Sequence, residues 1–227
     1  MKNVFDDAAT RFARSIDGTI RIGGYARGEL FLRMSRALFC PQGQVLDFGC
    51  GPGRLSIVLA KAGFRVLGAD ISQNMLDEAR ALDCSGLDVE FVKITGSDQV
   101  LTPAAYDGII CSSVIEYVPD AERLLQGFRG ALRPSGSLVI SFANRASLVR
   151  WYWDRQAHTN PMRDAQYHVW TWREFRDVLV RNGFELVGGP RFFEWPWDWR
   201  PIGSLFDRVP YIGSIGVVAA RPTSRPR

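Results

Sequence analysis

The sequence predicts an α/β protein: a doubly wound, largely parallel sheet with helices on both faces. Three observations predict it. Short apolar runs alternate with helical stretches between residues 44 and 142, the pattern of strands buried on both sides. A glycine-rich turn, Gly49-Cys50-Gly51-Pro52-Gly53, follows the first of these runs and opens the next helix, the position of a nucleotide-cradling loop. The chain has 227 residues, 46% apolar and 23% charged, enough for one large domain with a full core and an ordinary soluble composition.

Each element follows in order. Residues 27–39 suit an amphipathic helix, ended by Pro41 and Gly43. Strands are expected at 44–48, 65–69, 89–94, 106–111 and 137–142, with helices near 54–62, 73–82 and 121–132. The rhythm breaks after Asn144, and about residues 145–170 read as an aromatic and polar insertion over the sheet. Thr171-Trp172-Arg173-Glu174 is a capping box, and the helix it opens should end at Asn182-Gly183. Two final strands are expected at 184–187 and 215–220, with a long aromatic loop at 192–199 between them. Residues 221–227 read as a flexible tail.

Composition narrows the function. The N-terminus has no long apolar run, so neither a signal peptide nor stable membrane insertion is expected. Cys40, Cys50, Cys84 and Cys111 show no CxxC pairing and no metal spacing, as reduced thiols of a cytoplasmic protein would. Cys50 reads as a small loop residue in preference to a nucleophile. The net charge of +4 sits partly in the tail, and no basic stripe or nucleic-acid module is visible, so no nucleic-acid partner is expected. All seven tryptophans and both histidines fall between Trp151 and Trp199. Acceptor chemistry is therefore expected after the scaffold.

The glycine loop selects among nucleotides. A triphosphate loop needs GxxxxGK[ST], and no lysine follows these glycines. The dinucleotide fingerprint GxGxxG is also missed, since Arg54 stands where its third glycine belongs. Asp47, just ahead of the loop, would repel a pyrophosphate but suits a ligand bearing an ammonium and a sulfonium. Asp70, at the end of the second strand, can accept both hydroxyls of a ribose.

These residues resemble the class I S-adenosylmethionine (SAM)-dependent methyltransferases. "VLDFGCGPG" is similar to their first motif and "VLGADIS" to their ribose-binding acid and following helix. "YDGIICSSVIEYVPD", "ALRPSGSLVISFANR" and "HVWTWREFRDVLVRNGF" resemble the later strand, loop and helix motifs, in the expected order over residues 45–184. The resemblance implies a Rossmann-like sheet of five parallel strands plus a final pair, strand seven antiparallel, within a SAM-binding domain at 44–220. It implies that residues 1–43 form a helical lid, with Tyr25 near the substrate. Position by position it implies Gly49, Gly51 and Gly53 against the methionine part and Asp47 near its amine. Asp70 would then hold the ribose, Ile71 and Met75 border the adenine, Ser97 or Asp98 meet its amino group, and Cys111 and Ser112 line the floor.

Methyl transfer to a hydroxyl or protonated amine needs a general base. His168, three residues before the helix cap, is the first candidate; His158 in the insertion is the second and Glu116 the third. His168 and Glu116 each have a structural alternative: His168 can tie the loop to the cap, and Glu116 can be a structural acceptor or a cofactor neighbour. The nearest subgroup by pattern is the ubiquinone-biosynthesis O-methyltransferases. Some of these carry Glu-Val-Leu-Glu-His-Val-Pro after the fourth strand, able to hold a divalent metal. Ser113-Val114-Ile115-Glu116-Tyr117-Val118-Pro119 leaves one carboxylate there, a poor metal cage, so no metal is expected. Trp151, Tyr152, Tyr167 and Trp170 are candidates to wall a pocket for a small, flat or aromatic acceptor, with Trp153 beside them; packing of Trp170 and Trp172 onto the sheet is the alternative. The 192–199 loop has two readings, a homodimer contact or an interfacial belt. The expectation is methylation at oxygen, with N- or C-methylation or a catalytically silent SAM-binding partner as alternatives.

Overall fold

β1 (Gln44–Phe48), the strand that feeds the glycine loop, sits inside the sheet and not at its edge. The structure is a computed structural model that describes residues 27–156, 161–193 and 207–223. β2 (Arg65–Asp70) and β3 (Val89–Lys93) step away on one side of β1, and β4 (Tyr106–Cys111) and β5 (Leu132–Ala143) on the other, all parallel. The chain then lays down β6 (Phe184–Leu186) and β7 (Arg191–Phe193), and β8 (Ile215–Pro222) inserts between β5 and β6, antiparallel to both. The order is β3-β2-β1-β4-β5-β8-β6, with the expected five parallel strands and an antiparallel strand in the final pair, and β7 is an eighth, short strand beside β8.

β6 and β7 share one edge of β8 and amount to a single interrupted strand. Val187 still donates to the Ala219 carbonyl, but Gly188-Gly189-Pro190 shifts the pairing by two residues, and Pro190 has no N–H to offer. Phe192 and Phe193 lie in β7 and are buried, against the expectation that an exposed aromatic loop begins there. The rest of that loop, residues 194–199, is outside the described residues.

Strand alternation splits the core into two layers. On one face Val45, Val66, Ile110, Val139 and Val217 meet Leu30 and Phe31 of α1 (Arg27–Leu38) and Leu59 of α2 (Arg54–Lys61). Residues 27–38 are therefore part of the packed core, while residues 1–26 of the expected lid, Tyr25 included, lie outside the described residues. α3 (Gln73–Arg80), capped by the Ser72 hydroxyl, follows β2. On the other face Leu46, Ile109, Leu138, Ile140 and Val218 meet Leu124, Leu125 and Phe128 of α4 (Ala121–Ala131).

The insertion carries α5 (Leu148–Gln156) and α6 (Pro161–Asp164). Asn144 anchors it at the end of β5: its amide nitrogen donates to the Pro210 and Gly213 carbonyls at 2.6 and 2.8 Å, and its oxygen accepts from Ala146. α7 (Trp172–Arg181) starts at the expected capping box, with Thr171 and Glu174 each accepting the other's backbone N–H. Phe175, Val178 and Leu179 seat it on the second face. Among the described residues no helix is long and apolar enough to cross a membrane.

Candidate cofactor and acceptor cleft

Strand order reverses between β1 and β4, and an open α/β sheet has its crevice at the carboxyl ends of the strands at such a point. A cleft of about 1140 Å³ lies there, lined by Asp47, the loop from Gly49 to Pro52, Asp70, Ile71, Met75, Ser97, Ser112 and Glu116. The insertion closes part of it with Arg150, Trp153, Met162, Arg163 and Gln166.

The glycines divide their labour. Gly53 starts α2 at φ 72°, and a Cβ there would stand 2.7 Å from Phe91 and 2.8 Å from Ala79. It serves helix–sheet packing and does not line the cleft. Gly51, at φ 53°, has nothing within 4 Å of its Cβ position, so its backbone is open to a ligand. Gly51 N–H donates to Asp70 Oδ2 and Ser72 N–H to Asp70 Oδ1, both at 2.8 Å. Asp70, expected as the ribose acid, thus also braces the glycine loop.

Asp47 is buried and accepts from the Ser56 hydroxyl at 2.6 Å. Burial raises its pKa to about 6, against the Ser56 hydrogen bond and with help from the Asp70 charge. A carboxylate so poorly solvated gains most from a cationic ligand. Burial also pushes the Cys50 thiol up, reinforced by the Asp47 and Asp70 charges, so Cys50 is no ready nucleophile. Ile71 is exposed and Met75 buried, both on the cleft wall.

Besides Gly53, two expected cofactor contacts are not on the cleft wall. Cys111 has no exposure: strand alternation points it into the core, and Ser112 takes the wall. Asp98 turns its carboxylate back over Gly96, leaving Ser97 as the lining residue of that pair. Ser113 adopts φ 55°, an uncommon conformation for a side chain with a Cβ, and the buried hydroxyls of Ser112 and Ser113 have no partner among the described residues.

The acceptor side corrects the sequence reading more. His168 lines a separate groove of about 430 Å³ with Tyr167, Trp170 and Glu174. Its ring stacks on Trp170 at 5.0 Å, and Nε2 lies 3.0 Å from the Pro119 carbonyl. His168 therefore ties the insertion to the loop after β4, a structural contact, though not the tie to the Thr171 cap that was the expected alternative. The backbone does the same, since Tyr167 and His168 N–H groups both donate to the Glu116 carbonyl. His158 lies outside the described residues. Glu116 is buried and does line the cleft.

Trp151, Tyr152 and Tyr167 are exposed and away from the cleft, and Trp170 packs 5.2 Å from Phe175. On α5 the residues that face the cleft are Arg150 and Trp153, three apart, whereas Trp151 and Tyr152 fall on other faces. That i, i+3 pairing was the available signal. Arg150 Nη2 donates to Gln166 Oε1 at 2.6 Å, and Gln166 Nε2 lies 3.4 Å from the Tyr117 hydroxyl. Among the described residues no group of three or more His, Cys, Asp or Glu side chains is placed to hold a metal ion.

A doubly wound sheet, a ligand-open Gly51, an acid at the end of β2 bracing the glycine loop and a buried carboxylate form a cleft suited to a nucleoside ligand carrying positive charge. Residues 22–188 match the methyltransferase domain family, and the chain belongs to it; these are SAM-dependent enzymes, and SAM is the cofactor the residues fit. The ubiquinone biosynthesis O-methyltransferase of Actinobacillus pleuropneumoniae serotype 7 is 39% identical over 108 residues, 45% of this chain and 46% of that protein. The tRNA 5-carboxymethoxyuridine methyltransferase of Escherichia coli K12 is 34% identical over 154 residues, 64% of this chain and 58% of that protein. The chain spans about half the length of these curated relatives. In fold it is similar to a Burkholderia thailandensis 1,6-didemethyltoxoflavin-N1-methyltransferase with bound S-adenosylhomocysteine (SAH), at 20% identity and TM-score 0.65, covering 97% of this chain and 86% of that one.

Proposed function

We propose that the chain transfers a methyl group from SAM to a small organic acceptor, at oxygen and without a metal ion. The observation that carries the reading is the Asp47–Gly51–Asp70 constellation at the strand-order reversal. When bound, SAM supplies a sulfonium-activated methyl group with its leaving group attached. The residues then need mainly to position the acceptor and exclude water. Asp47 faces the ammonium, Asp70 the ribose hydroxyls, and Ile71 and Met75 flank the adenine. Glu116, the acid of the loop after β4, is the proton acceptor at hand once His168 is outside the cleft.

Calorimetry with SAM, SAH and NAD tests the cofactor. Wild type should bind SAM and SAH and not NAD. Asp70→Ala should weaken SAM by about 1.5–3 kcal/mol, since charge-assisted hydrogen bonds are lost. Unchanged affinity, or preference for NAD, overturns the reading. A second reading, an acceptor within tRNA, is favoured by the tRNA methyltransferase relative, which matches more of the chain than the ubiquinone one. Methyl uptake measured side by side on phenols, carboxylic acids, amines and bulk tRNA separates the two.

A further inference from the structure

Arg150 stands on the insertion wall of the cleft with its side chain only 13% exposed. A guanidinium has five N–H donors in a planar fork. One donates to Gln166 Oε1. Asp154 lies 3.6 Å from Nε, too far for a hydrogen bond, and is itself half exposed and shared with Arg163. The other donors of Arg150 make no hydrogen bond to a described residue, and they border the cleft, where a ligand can take them. Burial pushes the guanidinium's pKa down, opposed by Asp154, yet it stays charged.

The charges around it are mixed. Arg163 repels it, while Asp154, Glu116 and Tyr117 attract it. Net charge therefore does not choose the ligand; donor geometry does. Ser112 and Ser113, on the same cleft, add two buried hydroxyls with no partner among the described residues. A fork of N–H groups and two unspent hydroxyls match a ligand that only accepts, with several lone pairs in one plane.

We propose that the acceptor is an organic acid and that Arg150 is the specificity-determining residue, its guanidinium pairing with the acceptor's carboxylate. This rests on the small-molecule methyltransferase reading. A carboxylate takes the fork through two parallel hydrogen bonds. An amine would set donors against donors, and a neutral amide would offer a single oxygen.

The test uses the full chain saturated with SAH. A library of matched carboxylic acids, their primary amides and the corresponding amines is screened by ligand-observed NMR. Acids should dominate the binders. Arg150→Gln should weaken the best acid by about tenfold or more, and Arg150→Lys by less, since a lysine keeps charge without the fork. SAH affinity should stay within about twofold in both, since losing a hydrogen bond to SAH would shift it by more than that. Should Arg150→Gln fail to fold, the Arg150→Lys loss of acid affinity at constant SAH affinity carries the test. Binders dominated by amides or amines, no acid bound, or acid affinity untouched by either substitution overturns the proposal. So does a parallel fall in SAH affinity, which would assign Arg150 to the cofactor. A wild-type chain that binds no SAH sinks the methyltransferase reading itself, and this proposal with it.

Discussion

Asp47 holds a buried carboxylate with its pKa raised to about 6, chiefly by burial. A cationic ligand favours its ionised form, so the protonated form must lose its proton before binding. SAM affinity is expected to fall by up to about tenfold per pH unit below pH 6, and Asp47→Asn should flatten that dependence. Calorimetry between pH 5 and 7.5 reads it directly; a flat wild-type profile removes Asp47 from the ammonium. The same shift has a stability side. The unfolded carboxyl ionises near 4 and the folded one near 6, so the folded state holds the extra proton between them. The contribution is full below about pH 4 and falls as pH rises to about 6, by roughly 3 kcal/mol at most in the ligand-free chain. His168 illustrates the opposite kind of residue. With one hydrogen bond to Pro119 and a stack on Trp170, His168→Ala should lower stability by about 1–2 kcal/mol and leave kcat within about twofold. A hundredfold drop in kcat with an unchanged melting temperature would restore it as the base.

The glycine loop is an element in which two similar residues do different work. Gly53→Ala places a methyl 2.7 Å from Phe91 at φ 72°, combining left-handed strain with overpacking. It should cost about 2–4 kcal/mol in denaturant unfolding. Gly51→Ala has room in the free protein, so it should cost about 1 kcal/mol of stability while weakening SAM at least tenfold. Equal stability losses, or a larger affinity loss at Gly53 than at Gly51, would contradict this division. Helix α5 teaches a related lesson. Its aromatic residues were legible as a cluster, but only a settled helix phase separates Trp153, on the cleft, from Trp151 and Tyr152, in solvent.

At the scale of the molecule, the described residues bring no imidazole to the cleft, and its buried acids Asp47, Asp70 and Glu116 form no group placed to hold a metal ion, a weak site for a divalent ion. Turnover is expected to survive exhaustive chelation with EDTA; loss restored by added magnesium or zinc would bring a metal into the mechanism.

The sequence alone determined the parallel sheet, the position of its first five strands along the chain, the glycine loop and the Asp47–Asp70 pair, because these rest on local chemistry. Apolar runs, a cap, a positive-φ glycine and an acid at a strand end are each written within a few residues. It also placed the capping box at Thr171 and the end of α7, since both involve contacts three or four residues apart. What it left open depends on contacts between distant segments. Whether a histidine faces the ligand or the Pro119 carbonyl is decided by how residues 161–170 dock on the loop after β4, across 49 residues of sequence. Likewise, only the docking of α5 onto the cleft brings Arg150 beside Gln166 and within reach of Tyr117. Propensity fixes what a segment is; packing against its distant neighbours fixes which of its side chains meet the ligand.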